Sequence, residues 1–97
     1  MTDLILNREE QGQRGSFSLS RGGKRLGEMT FARVNAGLVN LDHTEVSDEL
    51  KGQGAGRKLL DAAVAWARET NTKILPTCSY AKAQFDKDAS IRDVLGP

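Results

Sequence analysis

Val46-Ser47-Asp48-Glu49-Leu50-Lys51-Gly52-Gln53-Gly54-Ala55-Gly56-Arg57-Lys58-Leu59-Leu60 is the stretch on which the reading of this 97-residue chain turns. An apolar strand end at Val46 runs into a short polar loop. Three glycines then alternate at 52, 54 and 56, and an amphipathic pattern begins. Glycines at a strand-to-helix turn let the backbone approach a ligand closely and aim its N–H groups outward. Those unpaired N–H groups and the positive end of the helix dipole make an anion site, with phosphate or pyrophosphate as the natural guest. The basic residues Lys51, Arg57 and Lys58 flank the glycines, either as a solvated patch or as further contacts to the same anion.

C-terminal to the loop, the apolar positions Leu59, Leu60, Ala63, Val64, Trp66 and Ala67 recur at steps of three and four. Arg57, Asp61, Arg68 and Glu69 take the opposite side, which predicts an amphipathic helix over 55–70. Asn71 and Thr72 end it. Lys73–Pro76 reads as a brief strand whose proline lies outside a regular ladder. Residues 81–86 read as helical and 89–95 as a last short helix.

N-terminal to the loop the period is two. Leu4–Asn7 is a short apolar run, followed by a turn region over 12–15. Ser16–Ser20 alternates as a half-buried strand does. Arg21-Gly22-Gly23-Lys24 is a hairpin signal, leading to a return strand over 26–34 with Gly27 as a possible bulge. After the turn Asn35-Ala36-Gly37, Leu38 to Val46 forms the next strand, on which simple alternation puts His43 and Glu45 on the face of Val39 and Leu41. The order β-β-β-β-α-β-α is a mixed α/β (α+β) architecture with a mainly antiparallel sheet, and the length predicts one domain over residues 1–97.

Composition narrows the function. Hydrophobic residues make up 38% and charged residues 28%, as in an ordinary globular protein, so disorder is excluded. A net charge of +1 and an aromatic share of 5% argue against nucleic acid as a partner. Residues 1–50 hold six Lys/Arg against eight Asp/Glu, and residues 51–97 hold eight against five, so the loop opens the more basic half. One cysteine excludes an internal disulfide, and one histidine argues against a metal site. The N-terminal residues are too acidic and too briefly apolar for a signal peptide, and no later segment approaches a membrane span. A reduced, cytoplasmic setting with no membrane partner is the expectation.

Among phosphate-binding motifs, the P-loop fails because Arg57 stands where the second glycine would follow Gly52. The dinucleotide fingerprint fails on the last glycine step. Lys51-Gly52-Gln53-Gly54-Ala55-Gly56 instead resembles the coenzyme A loop of the GNAT acetyltransferase superfamily, Arg/Gln-x-x-Gly-x-Gly/Ala, with Lys at the first position. With Asp42-His43-Thr44-Glu45-Val46 before the loop and Thr77-Cys78-Ser79-Tyr80 after a short strand, the chain is similar to a subfamily of very small GNAT-like proteins. That subfamily is associated with acetyl-CoA and with a cysteine near the acetyl group. The likeness covers about residues 15–95.

The resemblance implies a reduced GNAT-like fold in which the strand before the loop splays from its neighbour, Glu45 and Val46 offering main-chain groups to pantetheine. It implies that the N–H groups of Gln53, Gly54, Ala55, Gly56 and Arg57 hold the pyrophosphate, with Gly52 in the same cofactor-binding loop and Lys51 adding charge. The implied reaction is direct N-acetyl transfer from acetyl-CoA to an amine acceptor, without a metal. The alternative is a non-catalytic acyl-CoA-binding module or sensor, with Cys78 as acetyl carrier.

Two departures bear on that choice. The tyrosine that commonly protonates the leaving thiolate is replaced by Phe85, and the helical segment after the first strand that usually helps to form the acceptor site is missing.

Cys78 is either a small buried hydrophobe or a thiol at the acetyl group, its thiolate favoured by a helix start. His43 is a base near neutrality, oriented by Glu45, or a surface residue. Tyr80 either donates a proton to the departing thiolate or caps the core beside Pro76. Trp66 is assigned to packing. The acceptor and the oligomeric state stay open in this reading.

Overall fold

The computed structural model describes residues 3–97; Met1 and Thr2, part of the N-terminal stretch read above, lie outside them. Five strands are joined in the spatial order of the chain: β1 (Ile5–Gln11), β2 (Arg14–Arg21), β3 (Lys24–Asn35), β4 (Leu38–Val46) and β5 (Lys73–Pro76). The first four pair antiparallel, and β5 joins β4 in parallel after the crossover helix α1 (Ala55–Glu69). The second helix, α2 (Ser79–Lys87), leads into a 3₁₀ segment, Ala89–Val94. The mixed, mainly antiparallel α/β architecture expected from the sequence is the one observed.

Each local signal has a physical counterpart. Gly22 and Gly23 both take positive φ in the β2–β3 turn, as a tight hairpin requires. The chain passes from β1 to β2 through Gly12 and Gln13 alone, so the helical segment absent from the sequence is replaced by a tight turn. α2 begins two residues earlier than the periodicity suggested. The bulge expected at Gly27 falls on its neighbour: Leu19 pairs with Gly27 and Ser20 with Arg25, leaving Leu26 as the extra residue.

The helices share one face of the sheet. Leu59, Leu60, Ala63, Val64 and Ala67 of α1 are buried against Phe17, Leu19, Met29, Phe31, Val39 and Leu41. Trp66 lies 5.8 Å from Phe17 and 5.2 Å from Phe31 between ring centroids, so its assignment to packing holds. Aromatic pairs of this kind add about 0.5–1.5 kcal/mol each beyond the area they bury. The guanidinium groups of Arg8 and Arg33 each lie 5.5 Å from the Trp66 ring centroid, closing that end of the core.

A second bulge corrects the predicted face of His43 and Glu45. Thr30 pairs with His43 but Phe31 pairs with Leu41, so Asp42 is an extra residue in β4. One extra residue reverses the alternation beyond it. Val39 and Leu41 face the helices before the bulge, and Thr44 and Val46 face them after it. His43 and Glu45 are turned to the opposite, helix-free face, where they are exposed. Asp42 is held there by the Thr30 hydroxyl at 2.5 Å and by Arg14 at 3.3 Å.

Candidate functional site

The site forms where β4 and β5 part. Their pairing runs from Leu38–Lys73 to Leu41–Pro76 and then stops. The backbone N–H groups of Thr77 and Cys78 both donate to the Leu41 carbonyl at 3.0 Å, which ends the ladder and turns the chain into α2. Beyond that point, among the described residues, no strand lies beside β4 on the β5 side up to Val46. The strand carrying Glu45 and Val46 therefore splays as the resemblance implied.

At the far end of the splay the loop is built in two parts. Ser47 accepts a hydrogen bond from the Glu49 N–H and caps a 3₁₀ turn, Asp48–Leu50, which the sequence reading did not foresee. Buried Leu50 anchors that turn in the core. Gly52 (φ +79°) and Gly54 (φ +70°) then take left-handed conformations that a side chain would strain. Gly54 is the N-cap of α1 and supplies no side-chain cap, and the first turn carries no acid. The first N–H of the helix to be engaged is that of Lys58, which donates to the Gly54 carbonyl at 3.0 Å. The N–H groups of Ala55, Gly56 and Arg57 are left to a ligand or to water.

Those groups open on a cleft of about 450 Å³ lined by Thr44, Val46, Leu50, Lys51, Gly52, Gly54, Gly56 and Tyr80, among others. Beside Gly52 and Gly54 a Cβ would meet nothing, so the backbone there is open to approach. Gly56 differs: a Cβ would lie 3.0 Å from Tyr80 Cζ, and its absence lets the Tyr80 ring seat against α1.

Two of the expected anion contacts change. The Gln53 N–H is already donated to the Leu50 carbonyl at 3.1 Å, and its side-chain amide donates to the Glu49 carbonyl, so the Gln53 backbone N–H is not free for an anion. The Arg57 guanidinium turns away from the cleft, to Asp61 at 2.8 Å, Gln84 at 3.0 Å and Asp88 at 2.5 Å. Only the Arg57 backbone stays at the helix start. Lys51 remains on the cleft, and Lys58 is exposed on α1.

Cys78 is the N-cap of α2 and its side chain makes no cap hydrogen bond. Its Sγ lies 3.0 Å from the Thr44 hydroxyl, and the thiol is buried. Thr44 was not singled out in the sequence, although its i, i+2 relation to Val46 points at it. A second cleft, of about 460 Å³, brings together Asp42, His43, Thr44, Thr77, Cys78, Ser79 and Tyr80. His43 thus reaches the mouth of the splay from the open face, with Cys78 on its inner wall. Glu45 stands 3.7 Å from His43 Nε2 but lines a different hollow, with Arg25 and Glu28.

Tyr80, the single tyrosine of the chain, borders both clefts. Burial pushes its phenol above the ordinary range, with the Arg57 charge pulling the other way. A phenol held protonated is suited to donate. Tyr80 also packs on the core, so both sequence readings of it have a place in the structure. Phe85 lies in the core, away from either cleft.

A family model described as GCN5-related N-acetyl-transferase matches residues 16–94. The chain belongs to the GCN5-related N-acetyltransferase family. The solution structure of a GCN5-like candidate N-acetyltransferase from Staphylococcus aureus is 41% identical, with 94% of this chain and 88% of that one aligned at a TM-score of 0.71. More distant GNAT structures share the fold. A ribosomal-protein-S18-alanine N-acetyltransferase from Escherichia coli is 18% identical over 79% of this chain and 52% of its own, with a TM-score of 0.65. A GNAT family acetyltransferase from Elizabethkingia anophelis with acetyl-CoA bound is 11% identical over 86% of this chain and 71% of its own, also with a TM-score of 0.65. The chain thus spans about half the length of the Escherichia coli enzyme. The comparison with curated proteins finds no match.

Among the described residues of this GNAT chain, no group of three or more His, Cys, Asp and Glu side chains is arranged to hold a metal ion. No helix among them is long and apolar enough to cross a membrane.

Proposed function

We propose that this chain binds acetyl-CoA and transfers its acetyl group to an amine. The observation that carries the reading is the continuity of the site: uncapped N–H groups at Ala55, Gly56 and Arg57 at one end, the open edge of β4 between, and the Cys78–Thr44 pair at the other. An anion at the helix start is favoured by the dipole and by Lys51. Glu45 and Val46 would offer main-chain groups to the pantetheine arm.

In the transfer the amine nitrogen attacks the thioester carbonyl, a C–N bond forms and the C–S bond breaks. The thiolate of coenzyme A takes a proton, and the amine gives one up. Tyr80 is the donor best placed for the thiolate, since it borders both clefts and its phenol stays protonated. His43, exposed at the mouth on the open face, accepts the proton of the amine, directly or through water.

A second reading is favoured by the buried Phe85 and the Cys78 position: acetyl-CoA binds, Cys78 accepts the acetyl group as a thioester, and no amine follows. In that exchange the Cys78 thiolate attacks the carbonyl and the coenzyme A thiolate leaves, so atoms and charge balance.

Native mass spectrometry with acetyl-CoA tests both. A noncovalent complex that releases coenzyme A only when amines are added supports transfer. A covalent acetyl on the protein, lost in Cys78→Ala, supports the carrier. No complex with the wild-type chain overturns both.

A further inference from the structure

Arg57 stands in the first turn of the helix that faces the proposed anion, yet none of its side-chain donors is turned toward the cleft. Nε meets Asp61 one turn along α1, Nη1 meets Gln84 and Nη2 meets Asp88. Gln84 lies in the second half of α2, and Asp88 is its C-cap. The other oxygen of Asp88 accepts from the Ser90 N–H at 2.9 Å and from the Ser90 hydroxyl at 2.6 Å, starting the 3₁₀ segment that follows. One carboxylate thereby joins the first turn of α1, the end of α2 and the beginning of the last segment. At the opposite end of α2 its N-cap is Cys78, and Tyr80 lies in its first turn against Gly56.

We infer that Arg57, Gln84 and Asp88 form a positioning clamp that sets the pose of α2 against α1, and through it the placement of Cys78 and Tyr80 relative to the glycine loop. α2 is short, with Ala81 and Phe85 as its buried residues, so apolar burial along one narrow stripe leaves rotation about its own axis weakly held. The clamp at its C-terminal half and the Tyr80–Gly56 contact at its N-terminal end fix that rotation from two sides. A guanidinium with three committed donors is a geometric tie, because the fork is rigid and each hydrogen bond constrains the same plane. The tie matters for chemistry because a displacement of about 1 Å in a reacting group can cost roughly a hundredfold in rate.

The role in acetyl transfer rests on the proposed binding of acetyl-CoA; the clamp itself does not. The experiment therefore reads Cys78 without ligand first. Alkylation of Cys78 by iodoacetamide is followed for the wild-type chain, for Asp88→Ala and for Gln84→Ala, the latter sparing the Asp88–Ser90 cap. Asp93→Ala is the control, since it removes the Arg68–Asp93 pair that ties the last segment to the far end of α1.

Loss of a charge-assisted tie is expected to raise the alkylation rate roughly tenfold in Asp88→Ala and less in Gln84→Ala. Asp93→Ala is expected to leave it unchanged at a comparable loss of melting temperature. Asp88→Asn keeps one acceptor oxygen in place of two, enough for Ser90 or for Arg57 but not for both, and is expected to fall between the wild type and Asp88→Ala. Acetyl-CoA is then added. Its dissociation constant is expected to change less than about threefold in Asp88→Ala, because no group at the helix start is removed, while its protection of Cys78 against alkylation falls roughly tenfold.

Unchanged unliganded alkylation in folded Asp88→Ala and Gln84→Ala overturns the clamp. Tighter acetyl-CoA binding in Asp88→Ala with unchanged alkylation also overturns it, since the tie would then serve only to hold Arg57 away from phosphate. Absence of acetyl-CoA binding by the wild-type chain overturns the proposed function and leaves the unliganded rates to decide the clamp alone.

Discussion

Two helices begin at this site, and their N-termini are built in opposite ways. α1 starts at a left-handed glycine, without a side-chain cap, behind a loop whose turns are closed by hydrogen bonds among residues 47–58. α2 starts at Cys78, and its position comes from groups far away in the chain: the Leu41 carbonyl, the Thr44 hydroxyl, the Gly56 hollow and the Arg57 guanidinium. The first is a local device and the second a tertiary one. The difference predicts that substitutions at the α1 end act on ligand binding, whereas those at the α2 end act on the reactivity of groups already in place.

The largest expected effect is at Gly54. A β-branched residue at φ +70° carries backbone strain of about 1–2 kcal/mol and turns aside the N–H groups of the helix start. Gly54→Val is expected to weaken acetyl-CoA binding about a hundredfold, as loss of two charge-assisted hydrogen bonds would. Calorimetry on a variant whose circular dichroism stays native checks this, and normal affinity would remove the loop from the site. Tyr80→Phe keeps the ring against Gly56 and removes only the phenol. We expect unchanged affinity and a fall of about a hundredfold in acetyl transfer to amine. Equal transfer by both forms would assign Tyr80 to packing alone.

Thr44→Val removes the hydroxyl beside Cys78 Sγ. If that hydroxyl donates to the sulfur, alkylation slows by about threefold to tenfold at neutral pH, the size of one ordinary hydrogen bond. A faster rate would mean that the hydroxyl shields the thiol without stabilising its thiolate.

The clamp also has a pH signature. Hydrogen bonds from Ser90 and then Arg57 hold the Asp88 carboxyl down to about 2, against an ordinary 3.8. A lowered carboxylate pKa stabilises the fold above the ordinary value, and that contribution is lost as the carboxylate protonates. The melting-temperature advantage of the wild-type chain over Asp88→Asn is thus expected to be full above about pH 4 and to vanish as pH approaches about 2. A constant difference across that window would mean that the charge of Asp88 contributes nothing. The smallest effect is expected for Glu45→Gln. An exposed pair at 3.7 Å contributes under about 1 kcal/mol, so stability and acetyl-CoA affinity should both stay within error of wild type.

The strands, both helices and the glycine loop were legible from the chain because each rests on short-range periodicity or on backbone conformations only glycine adopts readily. The facing of His43 and Glu45 was not, because the bulge at Asp42 arises from its pairing with β3 and has no turn residue to announce it. Nor was the fate of Arg57 legible. Its place beside three glycines suggests phosphate, but Gln84 and Asp88 lie 27 and 31 positions away and compete for the same donors. Cys78 and Thr44, separated by 34 positions, could be suspected one at a time but not as a pair.

The sequence by itself determined the architecture and the glycine-built, uncapped start of α1, since hydrophobic period and glycine conformation act over a few residues. Only the tertiary structure decided what surrounds Cys78. Those neighbours come from β4, α1 and α2, and their meeting depends on one extra residue in a strand and on where one guanidinium finds its best acceptors.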